Sequence, residues 1–224
     1  MRVMLVPGFT QTRRSWDPVL RRLPADLDVT ALDVPEGLGF VGTALALGEA
    51  GGAGVYVGYS MGGRLCLQLA LERSDLVDRL VLVSTSPGIA DPTERAARRD
   101  ADREWVRVLE DRGVDVFYER WLAQPLFASL SPDAAGLDSR IRNRAVLAHQ
   151  LRALGQGVMP PLWDRIAELS MRVDLTVGGL DAKYVKVATA MNDHLTNGSV
   201  HLIEGAGHAV HLEEPGTLAR LLTS

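Results

Sequence analysis

At 224 residues the chain lies in the range where one hydrophobic core still grows with length, so a single domain over residues 1–224 is expected. Hydrophobic residues at 46% and charged residues at 23% exclude a disordered tail, a collagen-like fibre and a charged linker. A formal charge of −4, from 24 Lys and Arg against 28 Asp and Glu, argues against nucleic acid or a membrane surface as partner.

The one cysteine, Cys66, cannot close an internal disulfide, and its place in an apolar helical pattern makes it a buried core thiol. The first residues carry too short an apolar run for a signal peptide, and no stretch approaches the roughly 20 apolar residues of a spanning helix. A cytoplasmic protein is the expectation.

Taken in chain order, Val3–Val6 is a strand-like run, and the loop Val6-Pro7-Gly8-Phe9-Thr10 follows it. The next run is Val29–Leu32. After it, Gly37-Leu38-Gly39-Phe40-Val41-Gly42 matches the Gly-x-Gly-x-x-Gly of dinucleotide sites. Three residues separate this segment from the strand, and the strand beyond it ends without a ribose-binding acid, so a glycine-rich loop is expected instead.

Val55–Val57 leads into Gly58-Tyr59-Ser60-Met61-Gly62, and Leu65–Leu71 continues with helical periodicity. Gly-x-Ser-x-Gly between a strand and a helix is the pattern of a nucleophile elbow, where small neighbours let the backbone turn sharply and lift the serine hydroxyl above a sheet. Ser60 as a plain helix N-cap is the bland alternative.

Leu80–Val83 is the fourth run, and then the alternation stops. Between about 88 and 160 the helical patterns are Glu94–Asp111, Val116–Trp121 and Arg140–Leu154, with no convincing strand. A helical cap over the carboxyl edge of a sheet fits this stretch, because open α/β sheets bind ligands there.

Val173–Val177 and Val200–Ile203 resume the strands, followed by helical patterns at Val185–Leu195 and Thr217–Leu222. Apolar runs alternating with helices indicate an α/β fold whose mostly parallel sheet is covered on both faces. Asp181 lies just past the fifth run and His208 in a glycine-rich loop past the sixth. A serine needs an imidazole to take its proton, and the imidazole needs a carboxylate to fix its tautomer, so Ser60, His208 and Asp181 are the candidate catalytic set. Asp181 as a helix N-cap, and His208 with His211 as half of a metal site near Glu213 and Glu214, are the alternatives. The candidate oxyanion donors are the backbone amides of Met61 and Phe9.

These residues resemble the α/β-hydrolase superfamily, whose triad order is Ser, Asp, His. Several segments are similar more narrowly to the 2-succinyl-6-hydroxy-2,4-cyclohexadiene-1-carboxylate synthases of menaquinone biosynthesis. They are Gly58–Arg64, Ser86-Pro87-Gly88-Ile89, Glu94–Arg98, Asp102-Arg103-Glu104-Trp105, Trp121–Leu130, Asp181-Ala182-Lys183-Tyr184 and Gly207–Glu213. The resemblance implies an α/β-hydrolase fold with its cap inserted after the Leu80–Ser84 strand, and a lyase that releases pyruvate with Ser60 as base.

It also implies that Arg64, Arg98 and an arginine of Arg140–Arg144 bind substrate carboxylates, while Tyr59, Trp121 and Phe127 line the pocket. Asn143 favours Arg140 for the last arginine; counting on from Leu130 favours Arg142. Arg140 is chosen. No cofactor or metal is implied, and the expected partner is a small anionic molecule. A carboxylic-ester hydrolase using Ser60 as nucleophile is the alternative function, and a non-catalytic ligand-binding protein of the same fold is the third. The family usually carries His where Pro7 stands.

Overall fold

A strand covered on both faces must be apolar at every position, and the run around Val55–Val57 meets that condition, with all six residues of its strand buried. The computed structural model describes residues 2–224. Its strands are β1 (Arg2–Val6), β2 (Asp28–Ala31), β3 (Gly54–Tyr59), β4 (Val77–Val83), β5 (Arg172–Gly178) and β6 (Gly198–Ile203). They form one sheet in the order β2-β1-β3-β4-β5-β6. Every neighbouring pair is parallel. Each of the six apolar runs falls on one of these strands.

The helices are α1 (Asp17–Leu20), α2 (Phe40–Gly51), α3 (Met61–Glu72), α4 (Pro92–Leu122), α5 (Arg144–Leu154), α6 (Ala182–Asn192), α7 (Val210–Glu213) and α8 (Pro215–Leu222). Successive strand residues point to opposite faces, which divides the core in two. Met4, Tyr56, Leu80, Leu82 and Leu175 cluster with Leu47 of α2, Leu65 and Leu69 of α3 and Met191 of α6. Val3, Leu5, Val57, Val81 and Val83 cluster with Val19 of α1 and with Leu218 and Leu222 of α8. Cys66 is buried in the first of these layers, and burial raises its thiol pKa.

Of the Gly37–Gly42 segment, Gly39 caps α2 and Phe40–Gly42 form its first turn, with the Thr43 hydroxyl donating to the Gly39 carbonyl at 2.9 Å. Between β4 and β5 the helical insertion is built on α4 and α5. Asp91 caps α4 by accepting from the Glu94 amide at 2.8 Å, and Pro92 sits at its first turn. The two expected helices Glu94–Asp111 and Val116–Trp121 are the two parts of α4, which is broken at Gly113, where a φ of 82° and ψ of 176° are non-helical and suit only glycine.

The helix expected to begin at Arg140 begins at Arg144. Asn143 accepts from the Ala145 and Val146 amides and so starts the helix there, while Arg140 is extended and bridges antiparallel to Gln11. Leu109, Phe117, Tyr118 and Trp121 of α4 cluster with Leu147 and Leu151 of α5, a core for the insertion distinct from the two sheet layers. Among the described residues no helix is long and apolar enough to cross a membrane.

Candidate active site

The carboxyl ends of β3, β5 and β6 each carry one of the three candidate side chains. Ser60, between β3 and α3, has φ 49° and ψ −106°, a conformation that costs a non-glycine residue roughly 1–3 kcal/mol. The surroundings hold it there. Its amide donates to the Val83 carbonyl at 2.9 Å, and its own carbonyl accepts from the Arg64 amide at 3.1 Å. A β-carbon at Gly62 would strike the Val6 and Pro7 carbonyl oxygens, so the turn after Ser60 requires glycine.

Asp181 follows β5 and does two things at once. Its Oδ1 accepts from the Tyr184 amide at 3.2 Å, capping α6, and its Oδ2 accepts from His208 Nδ1 at 2.7 Å. The cap and the partner of the imidazole are therefore the same carboxylate. His208 lies in the loop after β6, which Glu213 ties down by accepting from the Gly207 and Ala209 amides at 2.8 and 2.9 Å. With Nδ1 donating to Asp181, Nε2 is free to accept the Ser60 hydroxyl, 3.3 Å away.

His211 is fully buried between Trp16 and Tyr59, with ring centroids 4.9 and 4.2 Å apart. Burial holds its imidazole well below the usual range. Among the described residues no group of three His, Cys, Asp or Glu side chains is placed to hold a metal ion.

Above Ser60 and His208 lies a cavity of about 210 Å³, roofed by α4 and α5. Phe9, Tyr59, Met61, Arg64, Arg98, Trp121, Phe127 and Arg140 all line it. Met61 is the first residue of α3, where a backbone amide has no partner within the helix. The Phe9 ring packs edge-on to Trp121, centroids 5.0 Å apart. Arg142 is exposed and pairs with Asp115, so Arg140 is the arginine that the extended segment turns inward.

The three arginines are buried to different depths and anchored differently. Arg64 donates through Nη1 to the Leu154 carbonyl at 2.9 Å, and burial lowers its guanidinium pKa to about 10. Arg140 donates through Nε to the Ala135 carbonyl at 2.8 Å and through Nη1 to Thr10 Oγ1; burial lowers it as well. Arg98 donates through Nε to Asp102 at 2.9 Å and through Nη1 to Gln156 at 3.4 Å. Each keeps its Nη2 group without a hydrogen-bond partner among the described residues. Three such groups around one cavity can bind several carboxylates.

Sequence reasoning missed four lining residues of weight. Trp105 and Asp102 share a face of α4 with Arg98, at positions i+7 and i+4, a spacing that could have found them. Gln156 holds Arg98, and no periodicity marked it. Tyr184 packs on His208 with ring centroids 4.6 Å apart, and burial raises its phenol pKa against the pull of Arg64 and Arg98.

Residues 3–221 match the family model described as the alpha/beta hydrolase family. The chain belongs to the α/β-hydrolase family. Among curated proteins, the chain is 33% identical over 173 residues to a putative 2-succinyl-6-hydroxy-2,4-cyclohexadiene-1-carboxylate synthase of Bacillus subtilis, covering 75% of the chain and 63% of that relative. It is 30% identical over 169 residues to the synthase of that name from Escherichia coli O1:K1, covering 74% and 65%. The chain thus spans just under two thirds of the length of these two relatives.

Among solved structures, MenH from S. aureus superposes with a TM-score of 0.92 at 27% identity, over 99% of this chain and 92% of that one. An esterase from Thermogutta terrifontis superposes with a TM-score of 0.80 at 20% identity, over 100% of this chain and 88% of that one, and shares the fold.

Proposed function

We propose that this enzyme is a lyase that eliminates pyruvate from a polycarboxylate precursor of menaquinone, with Ser60 as the base. One observation carries the proposal: three arginines, anchored through some of their N–H groups and open through others, surround the cavity above Ser60. The product that names the curated relatives has two carboxylates, on the succinyl group and on the ring, and the departing pyruvate has a third. A pocket for a neutral acyl chain has no use for buried cations, whose desolvation is costly without anionic partners.

In the proposed reaction His208 Nε2 takes the Ser60 hydroxyl proton, and Asp181 stabilises the imidazolium that forms. The serine alkoxide then removes a carbon-bound proton from the substrate ring. The electron pair of that C–H bond becomes a ring double bond, and the ring C–O bond to the pyruvyl group breaks. The three-carbon fragment leaves as the enolate and becomes pyruvate on protonation at carbon; the ring proton restores the Ser60 hydroxyl, and the imidazolium proton on His208 is the one released to the enolate, directly or through solvent, which returns the imidazole to neutral. No acyl-enzyme forms. The Met61 and Phe9 amides are the candidate donors to negative charge developing on oxygen.

Ester hydrolysis is the second reading, favoured by Met61 standing at the start of α3 beside Ser60, as an oxyanion donor would in acyl transfer. Purified enzyme offered the pyruvate-bearing intermediate and, separately, a short activated ester distinguishes the two. Pyruvate release is the expected result; ester turnover without pyruvate release would overturn the lyase assignment. Arg98→Ala should raise KM for the intermediate by about 10- to 100-fold, the worth of one charge-assisted hydrogen bond, and leave the ester's KM within about twofold. Equal losses on both substrates would remove the anion-binding role.

A further inference from the structure

The cavity wall holds one buried acid that the proposed reaction does not use. Asp102 lines the cavity on α4 and is 4% exposed. Its Oδ1 accepts from Arg98 Nε at 2.9 Å, and its Oδ2 is buried with no hydrogen-bond partner. Burial raises its pKa, against the pull of Arg98 and Arg64. A carboxylate so placed is expensive, since a buried charge is tolerated where it is paired and its remaining lone pairs are satisfied. It also stands beside cations that a polycarboxylate ligand would engage, where its charge repels that ligand.

The backbone leaves room for this carboxylate. Gly155, at the end of α5, faces it closely enough that a β-carbon there would lie 2.6 Å from Oδ2. Asp102 fixes Arg98 through Nε, Gln156 takes Nη1, and Nη2 is left for a ligand. An arginine at 34% side-chain exposure would otherwise sample many rotamers, at a cost in entropy on every binding event.

We propose that Asp102 is a positioning and specificity residue for the carboxylate-binding end of the pocket. It latches Arg98 in its ligand-facing arrangement, and its own charge offsets part of Arg98's. The latch favours anion binding and the offset opposes it. The net effect is a pocket shaped for carboxylates that holds them only moderately, so that anionic products leave. This rests on the anionic substrate class proposed above.

The latch and the offset are separable by substitution. Asp102→Asn keeps an acceptor oxygen for Arg98 Nε and removes the charge, whereas Asp102→Ala removes both. Tricarballylate, a simple tricarboxylate, serves as the probe in calorimetric titrations of the wild-type enzyme and both variants, with its trimethyl ester as the neutral control. The expected result is a Kd for tricarballylate about 3- to 10-fold lower in Asp102→Asn and at least fivefold higher in Asp102→Ala, with no parallel change for the ester. KM for the pyruvate-bearing intermediate should move in the same two directions while kcat changes less than about twofold.

A merely structural role would shift both variants the same way. That outcome, or no shift in either, or no tricarballylate binding by any of the three proteins, overturns the proposal. Thermal melts show whether each variant is folded, and Asp102→Asn, being isosteric, carries the test if Asp102→Ala is not. Pyruvate release by the wild-type enzyme is measured alongside. Its absence would sink the reaction assignment while the titrations still decide the role of Asp102.

Discussion

Ser60→Ala is expected to lower kcat/KM by at least ~10⁴-fold on the pyruvate-bearing intermediate and equally on an activated ester, with Tm unchanged within about 2 °C. The two halves of that expectation have separate grounds. The activity loss follows from geometry: the Ser60 hydroxyl is the one oxygen placed 3.3 Å from His208 Nε2, and neither proton abstraction nor acyl transfer proceeds without it. The stability half follows from the backbone. The amide and carbonyl of Ser60 hold the turn, and alanine keeps both while losing only an oxygen that faces the cavity.

Asp181→Asn sharpens the test. Asparagine still caps α6 through a side-chain oxygen, so helix stability is retained, but the amide group cannot both hold the right imidazole tautomer and stabilise the imidazolium. A fall of about 10⁴-fold in kcat with little change in Tm is expected. Asp181→Ala should add a cap loss of about 1 kcal/mol to the same catalytic defect. If Ser60→Ala kept more than about a hundredth of the wild-type rate on either substrate, Ser60 would be neither base nor nucleophile for it.

Much of this site was legible because it rests on short-range chemistry. The elbow needs small residues at 58 and 62 for steric reasons that any sequence shows, and Asp181 and His208 each follow an apolar run that could only be a strand. The insertion was harder to read for the same physical reasons in reverse. Its helix ends are set by single residues: Gly113 breaks α4 where the sequence already separates two helices, whereas Asn143 starts α5 at Arg144, four residues after the Arg140 at which the helical pattern begins. Arg140 is turned inward by a backbone bridge to Gln11, 129 positions away in the chain, and no local pattern encodes such a pairing. Arg142, two residues on, pairs with Asp115 at the surface. The dual role of Asp181 also lay beyond sequence reasoning, because capping and imidazole binding use different oxygens of one carboxylate.

The second large effect lies far from the cavity. Asp174 of β5 is fully buried, and three side chains converge on it: Arg79 Nε at 2.6 Å, His201 Nε2 at 2.7 Å and Arg172 Nε at 3.1 Å. Arg79 also donates to the Leu221 and Ser224 carbonyls, tying the end of α8 to the sheet. Asp174→Asn leaves the Arg79 guanidinium buried without its counter-charge, a change worth about 3–5 kcal/mol. For a chain of this size that is a fall in Tm of roughly 6–20 °C.

The pH dependence has a definite sign. Burial pushes the Asp174 carboxyl up, but the hydrogen bonds from His201, Arg79 and Arg172 outweigh burial and hold it below the usual range. A carboxyl depressed in the folded state adds stability above its unfolded pKa of about 3.9, and that stability is lost as pH falls through the lower folded value. Denaturant titrations of the wild type and Asp174→Asn should therefore differ fully at pH 7 and converge below about pH 4. A gap that stayed constant across that range would mean that the loss comes from packing around residue 174 and not from its charge. Ser60→Ala, measured in the same titrations, should follow the wild type at every pH, which separates the ionic tie at the carboxyl end of the chain from the site on the opposite edge of the sheet.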